Sequence, residues 1–184
     1  IELRVTFYRP DVFRIQAATN GVYADPKNNP EQAQILVIDE IGETTVKTQE
    51  DDAQITFSTD AITLTLNKAT TQFELRDAAG TLLWSETSPL ELGEKTIQTL
   101  SSDIDEHYFG GGQQNGYFTH KGTKIDIVAD GNWNEGGHPN PAPYYMSNKG
   151  YAVLRNTFST GAYDFTDNES IQLEHNETRF DANY

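Results

Sequence analysis

Ala61-Ile62-Thr63-Leu64-Thr65-Leu66-Asn67, then Gln72-Phe73-Glu74-Leu75-Arg76, then Asp77-Ala78-Ala79-Gly80, then Thr81-Leu82-Leu83-Trp84, is the stretch that decides the fold class. Ile62, Leu64 and Leu66 share one parity and Thr63 and Thr65 the other. Side chains alternate between the two faces of a strand, so this period of two predicts strand. Gly80, between two such runs, makes 72–84 the clearest hairpin in the chain. Upstream, 44–49 and 54–58 read as two more strands. At the start, Leu3, Val5 and Phe7 alternate with Arg4, Thr6 and Tyr8. Arg9-Pro10-Asp11 interrupts that run, since proline pre-sets φ for a turn, and Val12-Phe13-Arg14-Ile15-Gln16-Ala17 resumes it. Residues 20–31, rich in Asn, Gly and Pro, predict a loop, and Gln34-Ile35-Leu36-Val37-Ile38 a buried strand. In 88–100 a helical turn competes with strand, which Thr96, Ile97 and Thr99 favour. Strand pattern returns in Tyr151-Ala152-Val153-Leu154-Arg155-Asn156, Ile171-Gln172-Leu173-Glu174-His175 and Thr178-Arg179-Phe180-Asp181-Ala182. No stretch of ten residues holds a 3.6 period. Many short strands with turns between them predict an all-β fold, an antiparallel β-sandwich, with 1–184 as one domain.

Composition narrows the function. The 184 residues are 36% hydrophobic and 11% aromatic, enough for a core, and carry a formal net charge of −15. That charge repels phosphates, which argues against nucleic acid and anionic membranes as partners and is compatible with neutral sugars. Its simplest role is solubility. With no cysteine, disulfides and thiolate metal sites are excluded, though the compartment stays open. No apolar run is long enough to span a bilayer. The chain opens in strand pattern, as a mature product or an excised piece would, and closes at Tyr184 directly after another strand-like run, which predicts a following domain.

From about residue 103 the character changes. Residues 107–150 are dense in Gly, Asn, His, Trp and Tyr, which predicts a long loop region with little regular structure, and such a length is uncommon unless functional. Asp130-Gly131-Asn132-Trp133-Asn134-Glu135-Gly136-Gly137-His138-Pro139-Asn140-Pro141 stands out. Aromatic faces stack on sugar rings, and amides offer both donor and acceptor to hydroxyls; alternatively Trp133 plugs its loop against the sandwich. Gln113-Gln114-Asn115 has the same amide chemistry, or bonds only its own backbone. Gly110-Gly111-Gly112 is no phosphate loop, because neither Gly-Lys-Ser/Thr nor a helix follows. His107, His120, His138 and His175 lack metal-ligand spacing, and His107 and His120 read as loop hydrogen-bonders. Asp103, Asp105 and Glu106 cluster, as do Asp126 and Asp130. A glycosidase needs two carboxylates roughly 5–9.5 Å apart, and acidic runs are usually solvated faces. No catalytic residue, cofactor or metal is assigned.

Residues 105–184 carry a resemblance. Asp105-Glu106-His107-Tyr108-Phe109-Gly110-Gly111-Gly112-Gln113-Gln114-Asn115-Gly116 resembles a turn of glycoside hydrolase family 31. Tyr144-Tyr145-Met146 with Lys149-Gly150-Tyr151-Ala152-Val153-Leu154-Arg155-Asn156 resembles that family's strand pair. Glu177-Thr178-Arg179-Phe180-Asp181-Ala182-Asn183-Tyr184 resembles the strand leading to its catalytic barrel, and residues 2–17 fit its first hairpin. The resemblance implies a galactose-mutarotase-like β-sandwich packed on a (β/α)8 barrel, with one loop reaching the active-site mouth and the catalytic aspartates on the barrel. Amides replace the family's turn glutamate, and Asn132-Trp133-Asn134 stands where a Trp-Asn-x-Asp pattern is common. The variant resembles bacterial subgroups containing α-N-acetylgalactosaminidases and glucosyltransferases. The implied substrate contacts are Asn132, Trp133 and Asn134, with Gln114 and Asn115 behind them. The implied partners are the chain's own barrel and an oligo- or polysaccharide. The rival readings are a free-standing carbohydrate-binding module and a structural adhesion sandwich. A domain that packs on a barrel should expose an apolar patch, for which Tyr144, Tyr145, Phe165 and Phe180 are the candidates.

Overall fold

Alternation becomes strand throughout the computed structural model, which describes residues 1–23 and 44–184. The apolar run Gln34-Ile35-Leu36-Val37-Ile38 and all of the predicted loop 20–31 beyond residue 23 lie outside the described residues. The first hairpin forms as expected, with β1 (Glu2–Arg9) antiparallel to β2 (Val12–Ala18) around Pro10 and Asp11. A five-stranded meander follows: β3 (Lys47–Glu50), β4 (Gln54–Ser58), β5 (Ile62–Asn67), β6 (Phe73–Asp77) and β7 (Leu82–Ser85), each paired with its sequence neighbour. Residues 88–100 are strand rather than helix, giving β8 (Glu91–Leu92) and the start of β9 (Thr96–Ser101).

The remaining strands interleave. They are β10 (Tyr108–Gln113), β11 (Lys124–Ile127), β12 (Asn140–Ser147), β13 (Ala152–Arg155), β14 (Gly161–Asp164), β15 (Ser170–His175) and β16 (Phe180–Asn183). One sheet runs β1-β2-β16-β13-β12-β10 and another β11-β14-β15-β9-β8. An isolated bridge from Glu86 to Leu100 joins the meander to the latter. All named pairs are antiparallel. The stretch 107–150 therefore holds three strands, β10, β11 and β12, more regular structure than its composition suggests, with loops at 114–123 and 128–139.

The core lies between the sheets. Tyr108 stacks on Phe165 at 4.6 Å between ring centroids, and Tyr145 meets Tyr163 and Phe165 edge-on at 5.9 and 5.6 Å. The meander joins through Trp84, 5.0 Å from Tyr184, which itself stacks on Phe13 at 5.1 Å. Three of the four residues expected to form an exposed patch are thus core: Tyr145, Phe165 and Phe180 are buried. The reason is strand phase. Tyr145 points inward, so its neighbours Tyr144 and Met146 point outward, where Met146 pairs across the ladder with Phe109 and Tyr144 with Leu154. The outward patch is Phe109, Tyr144 and Met146, with exposed Phe118 edge-on to Phe109 at 6.0 Å.

Register places the loops. Ile127 pairs with Gly161 and Gly161 with His175, while Gln113 pairs with Asn140 and Phe180 with Ala17. The segments 114–116, 128–139, 156–160, 176–179 and 18–23 consequently emerge at one end of the sandwich, where binding residues on a rigid scaffold are common.

Candidate functional site

Asp130-Gly131-Asn132-Trp133-Asn134 builds its own turn. Asp and Asn side chains bond backbone N–H groups two residues on. The Asp130 carboxylate accepts the N–H of Asn132 at 2.8 Å and that of His138 at 3.1 Å. The Asn132 side-chain Oδ1 accepts the Asn134 backbone N–H at 3.0 Å and its Nδ2 at 3.1 Å. The N–H of Asn132, with help from His138, outweighs the opposing effect of desolvation and holds the Asp130 carboxyl below its ordinary value. The His138 ring closes the base of the loop: Nδ1 bonds the Val128 carbonyl, and Nε2 lies 3.5 Å from Asp130 and 3.8 Å from Asp126.

Asn115 belongs to the same construction. Its N–H donates to Gly137 O at 2.9 Å, its carbonyl accepts from Gly136 N–H at 3.0 Å, and its Nδ2 donates to Asn134 O at 3.2 Å. Gln114 does not join it. The Gln114 Nε2 donates to the carbonyls of Gly111 and Asp126 at 3.0 and 3.1 Å, so it braces β10 against β11. Of the five expected contact residues, the structure brings Asn115, Asn132, Trp133 and Asn134 together.

Trp133 is 67% exposed and does not plug the loop. Its indole face is free to stack, while Asn132 Nδ2 and Asn134 Oδ1 make no hydrogen bond among the described residues. An aromatic platform flanked by one donor and one acceptor suits a neutral ring with hydroxyls. The fixing roles of Asp130 and His138 were missed in the sequence, although the spacing Asp130-x-Asn132-x-Asn134 signals Asx turns. Exposed Glu135 was missed too. Its Cγ sits 3.0 Å from where a Cβ on Gly116 would be.

The other histidines are structural. His107 bonds Asn148 through its N–H at 2.8 Å, and the His120 ring bonds Gly110 O at 2.8 Å. His175 is buried between Tyr163 OH and Ser159 O, each at 3.0 Å, and burial pushes its ring down to about 3, so it is neutral.

The sequence profile described as the glycosyl hydrolase 31 N-terminal galactose mutarotase-like domain matches residues 2–164. The chain belongs to that family. A search of curated proteins finds no match. Among solved structures, a GH31 dextranase from Flavobacterium johnsoniae is similar at a TM-score of 0.85 and 18% identity, over 98% of this chain and 23% of that one. A GH31 α-xylosidase from a soil metagenome has a TM-score of 0.79 and 19% identity, over 98% and 29%. The cycloalternan-forming enzyme of Listeria monocytogenes has a TM-score of 0.79 and 15% identity, over 98% and 18%. At these identities the likeness establishes the fold. The chain spans less than a third of the length of these enzymes. The all-β sandwich is the fold of a galactose mutarotase-like domain, and no helix among the described residues is long and apolar enough to cross a membrane.

Proposed function

We propose that this domain packs on the (β/α)8 catalytic barrel of a retaining α-glycoside hydrolase or transglycosylase and offers the 128–139 loop to the sugar. The observation that carries the reading is Trp133, an exposed indole on a loop held by side-chain hydrogen bonds at the loop-bearing end of a family 31 domain. The outward patch of Phe109, Tyr144 and Met146 supports a packing surface for the barrel. Residues 1–184 are one accessory domain in this reading and supply no catalytic carboxylate. Two similar structures were solved with oligosaccharides, isomaltotriose in the dextranase and a pentasaccharide in the cycloalternan-forming enzyme, which supports an oligosaccharide substrate. The amides of Gln113, Gln114 and Asn115 in place of a turn glutamate support the α-N-acetylgalactosaminidase and glucosyltransferase-like subgroups.

Trp133→Ala in the full-length protein tests this. Loss of one stacking contact on the order of 1 kcal/mol raises KM for an α-linked oligosaccharide about five-fold, with kcat little changed. Unchanged kinetics would remove Trp133 from the substrate path. Turnover by residues 1–184 alone after stringent purification would overturn the accessory role, and saturable sugar binding by that fragment, abolished by Trp133→Ala, would favour the binding-module reading.

A further inference from the structure

A second concavity lies at the same end as the Trp133 loop but is built by different segments. The 156–160 and 176–179 loops, the end of β2, the start of β16 and Tyr23 enclose a cleft of about 450 Å³. That falls in the range of small-molecule sites, roughly 300–1,000 Å³. Its two carboxylates are already engaged. Asp181 accepts from Arg14 Nε at 2.7 Å and NH2 at 2.5 Å, from Asn156 Nδ2 at 3.0 Å and from Gln16 Nε2 at 3.3 Å. Glu177 takes Arg155 at 2.5 Å and the Thr157 hydroxyl at 2.6 Å. Both carboxylates are therefore neutralised in place, although the cleft sits on a strongly acidic protein.

What remains is a set of uncommitted groups of mixed kind. The Asn156 Oδ1 is buried with no hydrogen-bond partner, on a residue only 7% exposed. The Gln16 Oε1 accepts no bond among the described residues. The Arg179 guanidinium is exposed and makes no ion pair among the described residues. Phe158, on the same cleft, shows 60% of its surface to solvent. An exposed phenyl face, a forked donor and an amide acceptor beside two neutralised carboxylates match the alternation of C–H faces and hydroxyl edges on a pyranose ring. Among the described residues a nucleotide or other polyanion would meet one free cation there, which is poor complementarity.

We propose that this cleft is a second carbohydrate site, one that takes a pyranose ring on Phe158 with its hydroxyls on Arg179 and Gln16. It does not depend on the Trp133 loop. It gives the loop-bearing end two points of contact, which would raise apparent affinity for a polysaccharide that reaches both.

The test labels position 158 of the full-length protein with 4-fluorophenylalanine and follows its fluorine resonance while isomaltotriose and maltotriose are added. A saturable shift at millimolar trisaccharide is expected. Arg179→Ala, a change at an exposed position, should weaken it about five-fold, as loss of one hydrogen-bonding group implies, and Trp133→Ala should leave it within about two-fold. No saturable shift up to about 50 mM of either sugar, well above a millimolar dissociation constant, would overturn the proposal. Indifference to Arg179→Ala would overturn it as well. Loss of the shift in Trp133→Ala would show one continuous site rather than two. The kinetics of Trp133→Ala report separately on the loop.

Discussion

The meander from β3 to β7 and the loop-bearing segment from β10 to β12 reach strand structure by opposite routes. In the meander every strand pairs with its neighbour in sequence, and its turns are local. Asp77 closes the 77–81 turn by accepting Gly80 N–H on its carbonyl at 3.0 Å and Thr81 N–H on its carboxylate at 2.8 Å. Even the 68–71 link, with Thr71 at φ 56°, is secured by Asn67, whose side chain accepts Ala69 and Thr70 N–H at 2.9 and 3.0 Å. From β10 to β12 the partners are far apart in sequence, and three glycines at positive φ carry the chain past a register shift between Gly110 and Gly112. Regular alternation needs little help to pair locally. An irregular ladder needs backbone freedom and a neighbour to close against.

Glycine substitutions should separate the two routes, and the largest effect belongs to Gly112→Ala. Gly112 combines φ +74° with backbone contact, since a Cβ would overlap Asn140 and Ala142. Left-handed strain and main-chain displacement together should cost about 3–5 kcal/mol, measured by denaturant unfolding, and disturb the amides of 128–139. A loss under about 1 kcal/mol would mean that β12 yields easily and the comparison fails.

Next comes the seam between meander and sandwich. Glu86 is buried at the bridge to Leu100 and accepts Gln98 Nε2 at 2.8 Å and Phe73 N–H at 2.9 Å. Burial pushes its carboxyl up to about 7 against the pull of those donors. The native state then binds a proton that the unfolded state has released, so stability is fully present below pH 4.5 and falls as pH rises toward 7. The loss is roughly 3 kcal/mol. His175, held neutral, has the opposite sign and loses stability as pH falls below its ordinary range. The Glu86→Gln profile minus that of the native protein isolates the Glu86 contribution. An unchanged difference between pH 5 and 8 would show that Glu86 ionises normally.

Gly80→Ala is the control on the meander side. Its φ is +84°, but nothing lies within 4 Å of an added Cβ, so only the backbone preference is lost, about 1 kcal/mol. A larger loss would show that the meander is no more tolerant than the loop end. Smallest of all is Trp133→Ala, expected to leave the unfolding midpoint unchanged within about 0.5 kcal/mol, as for an exposed site. A large destabilisation would return Trp133 to the role of a plug.

Much of this was legible in advance. The alternation of Ile62, Leu64 and Leu66, the Pro10-Asp11 turn and the Gly80 turn specify strands and hairpins through local sterics and side-chain period. The family resemblance in residues 105–184 is matched by the profile as far as residue 164, and the first hairpin falls within the same match. The amide-rich stretch around Trp133 does form a loop with an exposed indole. Yet the amides chiefly hold that loop in shape: Asn132 caps Asn134, Asn115 ties two loops together and Gln114 braces two strands. Local composition names hydrogen-bonding groups without naming their partners, because those partners come from distant segments.

Strand type, hairpin turns, the absence of thiol chemistry and a charge hostile to polyanions were determined by the sequence itself, since each depends on residue type and near-neighbour spacing. Tertiary structure decided which face each strand buries, and so moved Tyr145, Phe165 and Phe180 into the core and Phe109 and Met146 to the surface. It also decided that Asn156, Arg179 and Gln16, far apart in the chain, share one cleft. Inward and outward phase, and the meeting of remote loops, are set by long-range register, which a one-residue shift would reverse.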